Sequence, residues 1–497
     1  MSDANRIIQD LRSSGARGRL RFLLRDSVVY GAFMAVSRFS ALLAFPVLAR
    51  AFSTSDYGIV DALNAFGATL SVLLVVGQDS ALARYFYDIE DTAERTRMIA
   101  DSLAVQAAFG LVACVVLSAG SGSFATRMLG SPDYAAAAAL QFVSLPLVML
   151  ANFTQNLLKW TFSRDRFLVA SIVGAAAAPA FSILVGVVLM PGVAGVMLGI
   201  VVGRVVTAAV GLWLCREWLS WPSGGRWVAR LLSFGAPSMM SSLLASLFTT
   251  IDRSSILQVL DPAALGLYAA GFKVAGLVAL PITAVQMSWN PLSLAIYKER
   301  NAADTYNRVL TGSTALFALF AFIVTVYADP LLALLASERY RAGAIVVGPI
   351  AFGLVYRSVA WTAGIGIDLA KKPIFGTLTY VAGLAAAWPA MLVLGPRLGI
   401  AGIALGGLLG FVVAGVAYIL ASRRVHPLRL ALTRPHAVLA ALGGLALAST
   451  VVPVHSTPAS ILIRVAIVAI GVAATAALSL SRDDRLTAWR YCAGVLR

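Results

Sequence analysis

Gly192-Val-Ala-Gly195-Val-Met-Leu-Gly199, with Gly203 following, is written again as Gly399-Ile-Ala-Gly402-Ile-Ala-Leu-Gly406, with Gly410 following. Each glycine of the second stretch stands 207 residues after its counterpart, and Gly58 and Gly266 match at an offset of 208. Both stretches open long apolar runs. Counting such runs at roughly 20 residues each, the length that crosses a bilayer as a helix, gives about fourteen spans. They are 27–49, 57–77, 98–118, 135–157, 168–190, 193–214, 231–259, 265–289, 309–335, 343–367, 374–394, 399–421, 435–453 and 459–480. The glycine motif opens spans 6 and 12, so spans 1–6 and 7–12 read as two copies of one unit. Six is even, so both copies run the same way through the membrane. That predicts parallel repeats related by an axis along the membrane normal, with the substrate between them. The glycines themselves, at i, i+4 and i+8, read as close helix packing.

Composition agrees. Of the 497 residues 59% are hydrophobic and 12% charged, and the mean hydropathy is +0.84. Soluble domains carry about 25% charge. The apolar runs lack the period-2 alternation of a membrane barrel, so the expected class is an all-α integral membrane protein. The expected organisation is a basic arm (1–26), a six-helix bundle (27–214), a linker (215–230), a second six-helix bundle (231–421), and two extra helices with a tail (422–497). Trp218, Trp221 and Trp227 in the linker read as membrane-interface anchors. Pro222, Gly224 and Gly225 there suggest a flexible joint. The segments Gln78–Arg97 and Asn290–Arg308 read as amphipathic surface helices.

The net charge of +16 is arranged for topology rather than for nucleic acid. With the N-terminus inside, 28 of the 39 Lys and Arg fall in cytosolic segments, seven outside and four within spans. This asymmetry predicts cytosolic termini. The arm residues Arg6, Arg12, Arg17, Arg19, Arg21 and Arg25 suit anionic lipid headgroups. Three scattered cysteines give no disulfide or metal framework. The three histidines sit at span ends, and no P-loop or nucleophile elbow occurs. The expectation is a non-enzyme without cofactor or metal.

The four intramembrane cations are Arg38, Arg204, Lys273 and Arg357. Each costs about 2.5–3.5 kcal/mol even on the lenient insertion scale, so they point to an anionic cargo. Polar stripes accompany them. Ser238, Ser242, Ser246, Thr249 and Arg253 fall within one narrow arc of span 7, and Tyr57, Asp61, Asn64, Ala68 and Ser71 within a similar arc of span 2. Such stripes must face protein or water, and packing of small residues explains them as well as a ligand does. Arg38 either binds the anion or pairs with Asp61 or Asp79. Arg204 and Arg357 could equally pair inside the bundle. Asp252 and Asp368, at span ends, read as interfacial. The candidate substrate-binding set is Arg38, Lys273, Arg204, Asp61, Asn64, Arg253, Ser242, Ser246 and Arg357.

One further stretch carries a resemblance. Leu48-Ala49-Arg50, Ser53-Thr-Ser-Asp56-Tyr57-Gly58 and Gly77-Gln-Asp-Ser80-Ala81-Leu-Ala-Arg84-Tyr85-Phe86 are similar to motifs of the polysaccharide-repeat-unit (O-antigen type) flippases. These belong to the multidrug/oligosaccharidyl-lipid/polysaccharide exporter superfamily. The twinned glycine openings fit as well. The resemblance covers spans 1–12 and implies two six-helix bundles around a V-shaped cavity. It implies a polyprenyl-pyrophosphate-linked oligosaccharide as cargo, flipped across the bacterial cytoplasmic membrane by alternating access for cell-surface polysaccharide assembly. Membrane lipids, a polysaccharide polymerase and other assembly proteins would be the partners, with no nucleic acid. The related lipid II flippases also have fourteen spans and carry cavity cations on spans 1 and 8, positions that Arg38 and Lys273 match. Many repeat-unit flippases have twelve spans, which leaves spans 13–14 outside the pattern. Lipid II as cargo, a multidrug antiporter and a glycan polymerase or ligase are the rival readings. The basic cavity argues against cationic drugs, and the absence of a long outer loop argues against the enzyme.

Overall fold

A computed structural model describes residues 44–222, 224–297, 299, 302–428, 430–449 and 458–479. Arg38, most of span 1, the basic arm and the tail lie outside the described residues. Those described are helical, with no strand among them. Among the described residues eleven helices are long and apolar enough to cross a membrane, and a twelfth counts if the bent pair Val228–Ala236 and Met239–Val259 is one span. That pair turns by 47° between Ala236 and Met239. The seventeen-residue helix Thr433–Ser449 coincides with span 13. The chain divides into two compact units, residues 1–266 and 267–497.

In the first unit several helix boundaries have a local cause. The Ser53 side chain caps span 2 (Thr54–Val75) by accepting from Asp56 N, which satisfies an orphan donor of the first turn. Span 2 ends where Val76 and Gly77 both take left-handed conformations, φ 51° and 66°. A new helix, Gln78–Phe86, starts there. Asp91 caps span 3 (Thr92–Ala119) through Ala93 N and Glu94 N.

Gln78–Phe86 is amphipathic, as expected: Ser80 and Arg84 are exposed while the opposite face is buried. Ala81, Leu82 and Phe86 enter a buried cluster with Met98, Ile99, Phe153, Leu157 and Phe167. The linker joins the same cluster. Trp218 is 1% exposed and Trp227 packs beside it, while Trp221 alone is solvent-facing at 91%. Asp101, buried in span 3, accepts from Trp227 N at 3.4 Å. Two of the three expected interface anchors are therefore core residues. Their large apolar area outweighs the interfacial preference of the indole once a pocket exists to receive it.

The repeated glycines do the same work in each unit. In the first, a Cβ on Gly199 of span 6 would stand 2.2 Å from the Phe181 carbonyl oxygen of span 5. In the second, a Cβ on Gly406 of span 12 (Ile400–Val425) would stand 2.8 Å from Met391 N of span 11 (Ile374–Leu398). Both hairpins close backbone to backbone.

In the second unit the long segment Asn290–Arg308 is mostly helix. Ala279–Ile296 and Ala302–Val326 reach into it from either side, and Tyr306 donates to Ser293 O at 2.6 Å. Spans 13 and 14 pack on Ala302–Val326. A Cβ on Gly471 would meet the Phe322 ring at 2.2 Å. Arg464 Nη1 donates to Val326 O at 2.9 Å, and Arg464 reaches Asp329 at 3.7 Å.

Candidate functional site

In the first unit the polar stripes of spans 2 and 7 meet along a seam. Arg253 Nε donates to Asp61 Oδ2 at 3.1 Å, and Arg253 Nη1 donates to Asp252 Oδ2 at 2.7 Å and to Thr249 O at 3.2 Å. All three charged side chains are buried: Asp61 8%, Asp252 4% and Arg253 4% exposed. Asp252 and Arg253 are thus paired inside the protein, where the guanidinium is satisfied by two carboxylates at once. Two turns further along span 2, Thr69 Oγ1 lies 2.9 Å from Ser246 Oγ and 2.7 Å from Thr250 Oγ1. The seam is closed at both ends by glycine. A Cβ on Gly58 would fall 2.6 Å from Gly266 N, and one on Gly77 would fall 2.0 Å from Gly235 O. Gly58 and Gly266, counterparts in the repeat, therefore touch.

The expected stripe divides on this seam. Ser246 and Arg253 face span 2, while Ser242 and Thr249 are exposed. The Ser238 side chain lies outside the described residues. Asn64 is half-buried and donates to Val60 O of its own helix at 2.9 Å. Ser71 donates to Ala68 O at 2.7 Å.

Arg204 is placed elsewhere. Its Nη1 donates to Ser144 Oγ of span 4, and Ser144 in turn donates to Gln141 O at 2.5 Å. Both polar side-chain atoms of Gln141 are buried without a hydrogen-bond partner among the described residues. Asp79, at the start of Gln78–Phe86, is a half-buried carboxyl of this unit. Its Oδ2 accepts from Asn156 Nδ2 at 3.0 Å. Burial raises its pKa above the ordinary carboxylate range, against the opposing pull of Asn156 and Lys159. Burial likewise pushes the Cys215 thiol up to about 12, which makes it a packing residue rather than a nucleophile.

The second unit contributes Lys273, half-buried on Pro262–Ala275, and Arg357. The Arg357 guanidinium lies 5.5 Å from the Phe411 ring centroid, within cation–π range. It lines a cleft with Trp361, Thr379, Tyr380, Phe411 and Tyr418. The Tyr418 ring is seated by glycine, since a Cβ on Gly364 would stand 1.9 Å from it. Sequence reasoning missed Trp361, Tyr380 and Tyr418. The available signal was Trp361 at i+4 from Arg357, which puts both on one helix face. A guanidinium beside aromatic faces and tyrosine hydroxyls can bind an anion and stack a sugar ring. The structure thus joins Asp61, Ser246 and Arg253, keeps Arg204 on a separate contact, and places Lys273 and Arg357 in the other unit.

These features define a membrane protein of closely packed helices, and comparison supplies the family. The chain belongs to the polysaccharide biosynthesis protein family, whose model matches residues 47–344. No curated protein sequence matches it. Among solved structures, the lipid II flippase MurJ in an inward closed conformation matches with a TM-score of 0.70. That match has 11% identity and covers 90% of this chain and 98% of that one. An inward-facing multidrug resistance MATE transporter of the MOP superfamily matches with a TM-score of 0.59 and 17% identity, covering 84% and 99%. A MOP superfamily transporter from Pyrococcus furiosus, described as having a binding pocket of reverse polarity, matches with a TM-score of 0.55 and 17% identity, covering 81% and 94%. The fold is that of these solved transporters.

Proposed function

We propose that this protein flips a polyprenyl-pyrophosphate-linked oligosaccharide repeat unit across the cytoplasmic membrane by alternating access, for cell-surface polysaccharide assembly. The observation that carries this reading is membership of a polysaccharide biosynthesis family in a chain with the fold of a lipid II flippase. Arg38, Arg204 and Lys273 supply positive charge for the pyrophosphate. Arg357 and the aromatic cleft beside it receive the glycan. Asp61, Asn64, Ser242, Ser246 and Arg253 line the span 2–span 7 face and offer hydrogen bonds to sugar hydroxyls as the seam parts. Moving two uncompensated negative charges outward releases about 4.6 kcal/mol per 100 mV. The chemistry asked of the protein is binding and movement, with no covalent step.

Lipid II itself is the second reading, favoured by the likeness to MurJ. The test is the lipid-linked species that accumulates on the cytosolic leaflet when the gene is deleted. A repeat-unit oligosaccharide supports the proposal, and lipid II overturns it in favour of the second reading. In complemented cells, Arg357→Gln should reduce glycan export at least fivefold with protein levels unchanged. Full export by that variant removes the cleft from the transport site.

A further inference from the structure

Where helix Arg164–Ile183 begins and helix Val193–Leu214 ends, the first unit carries a second cleft, of about 170 Å³, lined by Arg166, Trp213, Leu214, Arg216 and Glu217. Arg166 is already committed. Its Nη1 donates to a Glu217 carboxylate oxygen and, at 3.3 Å, to Leu214 O. Arg216 differs. Its guanidinium lies over the exposed Trp213 ring, 5.3 Å from the centroid, and it has no carboxylate or carbonyl partner among the described residues. Two guanidinium groups against one carboxylate leave the cleft net positive.

The surroundings indicate what the cleft holds. Val169 and Ile172 on the first helix, and Val205 on the second, are large apolar side chains left exposed. In a bilayer such side chains meet acyl chains, and Trp213 takes the headgroup level that tryptophan prefers. The basic loops put this face of the membrane on the cytosolic side. An amphipathic anion, with a charged head and apolar tails, matches both halves of the arrangement.

We propose that this cleft binds the phosphodiester headgroup of an anionic glycerophospholipid, with Arg216 as the donor and the acyl chains laid along Val169, Ile172 and Val205. A planar guanidinium held on an aromatic face keeps its N–H edge free for a phosphate oxygen. The site is independent of the transported cargo and would tie the first unit to the anionic leaflet.

The test is native mass spectrometry of the purified full-length protein. It is titrated with phosphatidylglycerol, with phosphatidylcholine of the same chains, and with glycerol 1-phosphate. Phosphatidylglycerol should be retained in preference to the other two. Arg216→Gln should weaken its tightest site about fivefold, the worth of one basic residue at an anionic surface. Arg216→Lys should keep most of the affinity, and Arg424→Gln, at an exposed position of the other unit, should change nothing. Melting temperature in phosphatidylcholine monitors folding, and Trp213→Leu, expected to weaken retention about twofold, serves if Arg216→Gln is unstable. Unchanged retention by the folded variants overturns the proposal. So does equal retention of phosphatidylcholine, and so does equal competition by glycerol 1-phosphate, which would mark a free phosphate site.

Discussion

Arg253 holds two carboxylates, and that count sets the cost of removing each group. Losing Arg253 leaves Asp61 and Asp252 buried side by side without their common counter-ion. Losing Asp61 leaves Arg253 still paired with Asp252 at 2.7 Å. Breaking a buried pair from one side costs about 3–5 kcal/mol, because a charge is stranded. Arg253→Gln should therefore lower the melting temperature in detergent more than Asp61→Asn does. In the double variant Arg253→Gln with Asp61→Asn, part of the loss should return. The check is a double-mutant cycle on thermal unfolding, and an Asp61→Asn as harmful as Arg253→Gln would show that Asp252 does not share the guanidinium.

At the scale of elements, the glycines decide how closely helices approach. Gly406 faces Met391 N across the span 11–span 12 hairpin, and backbone cannot yield as a side chain would. Gly406→Leu should cost at least about 1–3 kcal/mol by overpacking, read as a loss of folded protein in the membrane. Gly444, with nothing near its Cβ direction, should accept leucine with folded protein at the wild-type level. The hairpin glycines were legible in the sequence because small residues at a helical period have one dominant use in a membrane. The partner of Asp61 was not. Arg38 looked like its partner, whereas Arg253 lies 192 positions away, and no local pattern says which helix faces which. Trp218 and Trp227 were misread for a related reason. An indole near a span end suits the interface by default, and only the tertiary pocket shows that it is filled. Tyr380 and Tyr418 escaped notice because two other helices bring them to Arg357.

For the whole molecule, topology is the property most open to a direct check. The 28-to-7 division of basic residues between the two faces predicts the side of every loop. Reporter fusions after Arg230, Arg424 and Arg497 should report cytosol, and fusions after Asp133 and Arg397 should report the outside. An external signal at Arg497 would mean an odd number of crossings and would undo the fourteen-span reading, in which Pro458–Ser479, packed against Ala302–Val326 through Gly471 and Phe322, is the last span.

The span 2–span 7 seam also fixes an order of events during synthesis. Asp61 reaches the bilayer long before Arg253 exists. At about 5–20 residues per second, the intervening chain takes roughly 10–40 s to make. Through that interval the carboxyl has no Arg253 to meet. The first unit is finished only when a helix from the second repeat arrives, and the ribosome, rather than the nascent bundle, sets the moment at which it locks.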